Sequence, residues 1–134
     1  MRHLLIKALA GSGLLLFGLT ASGQYQPRSE YRYQEEQREA REHDRFFERV
    51  RNDLDRASAF ALPFTGEQGR VARAGEEVSD CHRAVTAGNY DRRTFDEAIA
   101  AIQRVVDSNR LSERNRDYLT DDVLQLRQLE SRLE

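Results

Sequence analysis

The sequence predicts an all-α protein, a small antiparallel up-and-down four-helix bundle with a long first helix. Apolar residues recur at spacings of three and four in four successive segments, which is the pattern of amphipathic helices. No segment shows the sustained alternation of apolar and polar residues that half-buried strands require. The connections between the segments are short, which favours antiparallel neighbours. We expect the bundle domain to comprise residues 35–134, preceded by a leader and a polar segment.

The first 23 residues have the layout of a secretory signal peptide. Arg2 and Lys7 form a short positive region, residues 8–19 are uncharged and mostly apolar, and small residues occupy positions 21–23. The apolar run is shorter than the roughly 20 residues that a helix needs to cross a bilayer. We therefore expect cleavage near Gly23-Gln24, which places the mature protein in the periplasm or outside the cell. An uncleaved anchor is the alternative.

The charge of the mature chain argues against nucleic acid as a partner. The whole chain has 21 basic and 23 acidic residues, a net charge of −2. The leader removes Arg2 and Lys7 and no acid, so the mature chain is more negative still. A protein that binds nucleic acid, or an anionic membrane surface, is expected to be basic instead.

Residues 24–34 are predicted to form a flexible polar segment, with helix beginning after Ser29 at the earliest. Helix in this region depends on charge pairs that contribute about 0.2–0.5 kcal/mol each, so we expect fraying. If the protein has a partner, this segment is suited to order on it. The candidate partner-binding residues are Tyr25, Tyr31, Arg32 and Tyr33. A plain exported tether is the alternative.

The first helix is predicted over residues 35–60, which contain no glycine or proline. The face opposite its apolar residues carries charge pairs at helical spacing, such as Arg49 with Asp53, and we interpret this face as solvated. The helix is longer than those that follow, so its N-terminal part is expected to extend beyond the bundle. The apolar stripe comprises Ala40, Phe47, Val50, Leu54 and Ala57, with Phe46 beside them.

Three shorter helices follow, each with a polar residue that can start it. Thr65, with Gln68 three residues later, has the spacing of a capping box and predicts a helix to about residue 87. Asp91 or Thr94 begins the third helix, and Ser112 begins the fourth. Their apolar positions are Val71, Ala74, Val78, Cys81 and Val85 in the second helix, Phe95, Ala98, Ile99, Ile102, Val105 and Val106 in the third, and Leu119, Val123, Leu126 and Leu133 in the fourth.

Cys81, the only cysteine in the chain, is predicted to lie in the core as a small hydrophobic residue. An intermolecular disulfide is the alternative, which would make Cys81 a redox or homodimer cysteine. The C-x-x-C-H pattern of haem attachment is absent, because Val78 stands where the first cysteine is needed. Cys81 and His82 point about 100° apart on a helix, which is wrong for a nucleophile and its base.

The sequence predicts no metal site, no cofactor and no enzyme. Glu39 and His43 share a helical face, but two ligands do not make a metal site. The chain has no glycine-rich phosphate loop and no G-x-S-x-G motif. We therefore expect an exported, non-enzymatic bundle that acts by protein–protein interaction or as a structural component of the envelope.

The segment Phe64-Thr65-Gly66-Glu67-Gln68 resembles the L-T-x-x-Q motif of periplasmic adaptor-chaperones of the envelope stress response, with phenylalanine in the first position. The resemblance covers five residues, and a capping box explains the same spacing. It implies an alternative role as a periplasmic stress chaperone or sensor-adaptor. Such a role would require an exposed, concave apolar surface, whereas a closed bundle buries its apolar stripes.

Overall fold

The computed structural model describes residues 28–134, which form four α-helices. They are α1 (Arg28–Ser58), α2 (Gly66–Thr86), α3 (Arg92–Ser108) and α4 (Glu113–Leu133). Residues 28–134 contain no strand, so the predicted all-α class is confirmed. In this part of the chain no helix is both long and apolar enough to span a membrane. The predicted signal peptide and Tyr25 lie outside the described residues.

Helix α1 begins at Arg28, within residues 24–34, which the sequence predicted to be a flexible polar segment. Its 31 residues make it about 46 Å long, against 17 to 21 residues for the other helices. All side chains of residues 28–42 are exposed except that of Gln37, which is half-buried. Ala40 belongs to this exposed part, so its predicted place in the stripe was wrong. Little packs against these turns, so we still predict that they fray in solution.

The four helices pack into a bundle around one apolar core. Helix α2 packs against α1 and α3, and α4 packs against α3 and α1. Phe47 and Phe95 are the largest fully buried side chains. The predicted stripes supply most of the core, while Val85 and Leu133 are only partly buried at its edge. Burial of these stripes, at about 25 cal/mol per Å² of apolar surface, is the main force that holds the helices together.

Polar N-caps start three of the helices. In each case a side-chain oxygen accepts a backbone N–H that the first helical turn leaves without a partner. Thr94, the alternative start for α3, lies inside that helix and donates its hydroxyl to Asp91 at 2.7 Å. The three caps are Thr65 bonded by the N–H of Glu67 (3.3 Å), Asp91 bonded by that of Thr94 (2.8 Å) and Ser112 bonded by that of Asn115 (3.2 Å).

Cys81 lies in the core at the position that its stripe predicts. Its side chain is 0% exposed and is a free thiol. Burial, together with the charge of Glu130, raises the pKa of this thiol to about 12. The reactive thiolate is therefore scarce at neutral pH.

We expect Cys81→Ala to lower the free energy of unfolding by about 1 kcal/mol or less, since little volume is lost. In the wild-type protein, we expect Cys81 to react with a thiol reagent only as fast as the protein unfolds. Labelling followed by mass spectrometry, with and without urea, measures this rate. A disulfide-linked dimer on a non-reducing gel would contradict the core placement.

Candidate interaction site

The loop between α1 and α2, residues 59–65, exposes three large apolar side chains. Phe60 is 57% exposed, Leu62 39% and Phe64 104%, whereas Ala61 between them is buried. Only three other large apolar or aromatic residues in the described part are comparably exposed, namely Tyr31, Tyr33 and Leu124. Single exposed apolar residues are ordinary, whereas three within five positions make a candidate interaction surface. We call Phe60, Leu62 and Phe64 the apolar loop.

The backbone of Phe64 adopts an unusual conformation. Its φ is +64°, and it is the only non-glycine residue of the described part with positive φ. A bulky side chain in this region costs on the order of 1–2 kcal/mol. The next residue, Thr65, is extended as the N-cap of α2. The strained residue is thus the one that holds its ring completely in solvent, which is typical of a functional surface.

Glu67 binds the backbone of the apolar loop. Its side chain is buried, and its carboxylate accepts the backbone N–H groups of Leu62 at 2.9 Å and Arg110 at 2.8 Å. These two hydrogen bonds hold the pKa of Glu67 below its usual range. The sequence assigned the capping box to Gln68, but the carboxylate that reaches back is that of Glu67. It ties the α1–α2 loop to the α3–α4 loop.

Two further side chains complete this arrangement. Asn109 is 5% exposed, and its Nδ2 donates to the backbone carbonyl of Glu67 at 3.0 Å. Arg70 donates from Nε to Asn109 Oδ1 at 2.7 Å and from its guanidinium to the carbonyl of Ser108 at 3.1 Å. We call Glu67, Arg70 and Asn109 the clamp. Through the bond from Leu62 to Glu67, the clamp ties the apolar loop to the loop between α3 and α4.

The residues that the sequence singled out for partner binding lie elsewhere. Tyr31 and Tyr33 are 61% and 62% exposed on the first turns of α1, and Arg32 between them is exposed. Tyr25 lies outside the described residues. Roughly 38 Å of helix separates Tyr33 from the end of α1 at Ser58. The tyrosines and the apolar loop therefore do not form one surface.

His82 lies in a polar network between α1 and α2. Its Nε2 is 2.7 Å from Asp44 Oδ1, its Nδ1 is 3.2 Å from a guanidinium nitrogen of Arg51, and its ring stacks on Phe47 with centroids 4.7 Å apart. An arginine can only donate, so Nδ1 accepts and Nε2–H donates to Asp44. Residues 28–134 bring together no group of three or more metal-ligating side chains. His82 thus joins two helices through its ring.

Comparison with known proteins finds no match for this chain among protein-family models, curated proteins or solved structures.

Proposed function

We propose that the protein is an exported, non-enzymatic helical bundle that binds a protein partner through the apolar loop. The observation that carries this proposal is the fully exposed ring of Phe64, held at positive φ beside exposed Phe60 and Leu62. At protein interfaces a few aromatic and aliphatic anchors fill pockets and supply most of the binding free energy. A projecting loop of this kind fits a concave apolar pocket on the partner.

The charges beside the loop favour a protein over a lipid surface. Cations and acids are interleaved there, with Asp55 next to Arg56 at the end of α1 and Arg110 near Glu113 at the start of α4. Binding to anionic lipid is strengthened by each extra cation near the surface. A mixed rim gives no such excess, whereas a polar rim around apolar anchors is the usual arrangement of a protein interface.

We infer that the bundle is antiparallel and up-and-down, because contacts pair the start of one helix with the end of its neighbour. This arrangement brings the α1–α2 and α3–α4 loops to the same end, where Glu67 bonds to both. The supporting contacts are Asp44 with His82, Arg56 with Tyr118, Arg116 with the carbonyl of Val106, and Arg92 with Glu130.

Export is supported by the signal-peptide layout of residues 1–23. In this proposal cleavage near Gln24 releases a chain that acts in the periplasm or outside the cell. The partner is then a component of the envelope or of the surroundings.

The test combines Phe60→Ser, Leu62→Ser and Phe64→Ser in one variant. We expect capture of the partner from envelope extract to fall at least tenfold, because each 1.4 kcal/mol of lost binding is a factor of ten. The thermal midpoint should change little, since all three side chains are exposed. Quantitative mass spectrometry of pull-downs by the wild-type protein and the variant measures the difference.

Leu124→Ser is the matched control, because Leu124 is 51% exposed on α4, away from the loop. Its capture should equal that of the wild type. Equal capture by the triple variant would contradict the proposal. Deletion of residues 24–33, which removes Tyr25, Tyr31, Arg32 and Tyr33, asks in the same assay whether the N-terminal tyrosines bind the partner instead.

Three further measurements on the same variants test whether the loop binds something other than this protein partner. Loop-dependent sedimentation with phospholipid vesicles would replace the protein partner with a membrane surface. Loop-dependent self-association in analytical ultracentrifugation would identify the partner as a second copy. Strong binding of a hydrophobic dye, with suppression of client aggregation, would favour the stress-chaperone role.

A further inference from the structure

Two buried aspartates lie where the first and last helices meet. Asp53 on α1 is 5% exposed and Asp122 on α4 is 1% exposed. We call this contact of α1 with α4 the polar seam. Burial of two like charges side by side is costly, because low dielectric strengthens their repulsion and removes their hydration. The sequence placed Asp53 on a solvated face paired with Arg49, and the structure corrects that interpretation.

The arginines near the seam do not fully neutralise this pair. Arg56 contacts Asp53 Oδ1 at 2.8 Å, whereas Arg49 Nε lies 3.8 Å from Asp122 Oδ1. The side chain of Arg49 is 49% exposed, and its guanidinium also donates to Gln125. Solvent therefore weakens its attraction for Asp122. One carboxylate of the seam is paired closely and the other only loosely.

A buried carboxylate oxygen without a partner favours a shared proton. Within residues 28–134, Asp122 Oδ2 receives no N–H or O–H donor from an amide, a hydroxyl or a cation. Asp53 shares a face of α1 with Arg49 and Arg56, which contact Asp122 and Tyr118 on α4, so the two buried carboxyl groups lie in the same contact. Two ionised carboxylates are both acceptors, so Asp53 can satisfy Asp122 Oδ2 only when one of the two carboxyl groups carries a proton.

We propose that the polar seam is a pH-responsive contact, in which Asp53 and Asp122 share one proton when α1 and α4 are closely packed. Loss of this proton to solvent leaves two buried carboxylates that repel each other, and the packing of α1 on α4 loosens. Phe47, the first fully buried residue of α1, lies about two turns before Asp53. The part of α1 that loosens therefore adjoins the exposed N-terminal turns.

The groups around Asp122 set the direction of the effect. Burial, and next the charge of Asp53, raise the pKa of Asp122 from its ordinary value of 3.8 to about 7, against the opposing influence of Arg49. Asp121 on its own helix adds a smaller rise. Helix α3, the other neighbour of α4, contributes apolar side chains to the core, such as Ile102 and Val106.

A raised pKa in the folded protein gives stability at low pH that is lost on alkalinisation. The contribution of Asp122 is fully present below about pH 4 and disappears as the pH rises through about 7. Glu67 and Asp91 have lowered pKa values, so their contributions to stability are lost on acidification and not on alkalinisation. The wild-type unfolding constant is therefore expected to rise roughly tenfold to a hundredfold between pH 5 and pH 8 because of the seam.

Urea unfolding at pH 5 and pH 8 tests this dependence in the wild type and in Asp122→Asn, which mimics the protonated acid without titrating. We expect the variant to lose most of the rise in unfolding constant. Asp117→Asn, a matched change at an exposed position on α4, should keep it. The difference between the variants, rather than the wild-type slope alone, reports the seam.

Two direct measurements separate a pH-responsive seam from a merely structural one. In ¹³C NMR of aspartate-labelled protein, we expect one carboxyl resonance to titrate near pH 7 and to vanish in Asp122→Asn. At pH 8, amide hydrogen exchange in α1 and α4 should be slower in the variant than in the wild type, with α2 and α3 unchanged. If Asp122→Asn fails to fold, Asp53→Asn replaces it, and the titrating carboxyl resonance should then move to lower pH rather than vanish, because the charge of Asp53 is removed. A rise in the unfolding constant that survives in the variant, or no aspartate titrating above pH 6, would overturn the proposal.

Discussion

Replacing Phe47 by alanine is expected to lower the free energy of unfolding by about 3–5 kcal/mol. The side chain is 0% exposed, and its ring meets Phe46 edge-on with centroids 5.2 Å apart. Its removal leaves a cavity where α1 packs on α2. It also removes the flat surface on which the His82 imidazole stacks between Asp44 and Arg51. The loss should therefore lie at the upper part of this range.

Urea unfolding followed by far-ultraviolet circular dichroism measures the change. Phe60→Ala is the matched control, since Phe60 is 57% exposed in the α1–α2 loop. That variant should stay within about 0.5 kcal/mol of the wild type. Equal losses at the two positions would mean that the loop is packed and the assignment of the core is mistaken.

The different fates of Phe47 and Phe60 show how far the sequence predicts this fold. Phe47 begins a stripe at helical spacing with Val50 and Leu54, so its burial follows from the helical period alone. Phe60 comes near the end of that helix, close to Pro63, where no period applies. The sequence shows three apolar residues in the loop but does not show which residues of the loop are exposed. Ala61, in the same segment, is buried.

The features that the sequence did not predict depend on contacts between distant parts of the chain. The carboxylate of Glu67 bonds to the backbone of Arg110, and Asp122 is buried beside Arg49 of another helix. Acidic residues in a strongly charged sequence are usually solvated, so neither burial follows from the local pattern. Helix α1 likewise begins at Arg28, and no apolar periodicity marks that start. Helix faces were predictable, while loop contacts and buried charges depend on how the faces assemble.

Asn109→Ala is expected to lower the free energy of unfolding by about 2 kcal/mol at neutral pH. Asn109 is 5% exposed and makes two hydrogen bonds, to the Glu67 carbonyl at 3.0 Å and from Arg70 at 2.7 Å. Each buried hydrogen bond contributes about 1 kcal/mol, and a buried acceptor left without its donor costs more. Arg70 is half-buried and can turn to water, whereas the Glu67 carbonyl is held inside the clamp.

The measurement belongs at pH 7, because the lowered pKa of Glu67 keeps its carboxylate ionised there. The contribution of that carboxylate to stability is present at neutral pH and is lost as the pH falls through its lowered value. Acid would thus weaken the same clamp by protonating the carboxylate of Glu67.

Asn89→Ala is the matched control for Asn109→Ala, since Asn89 is exposed in the loop between α2 and α3. It should change the free energy of unfolding by no more than about 0.5 kcal/mol. Because Glu67 also accepts the N–H of Leu62, the Asn109 variant should speed hydrogen exchange at that amide, and the Asn89 variant should not. If the two variants matched in both stability and exchange, the clamp would not be what holds the apolar loop in place.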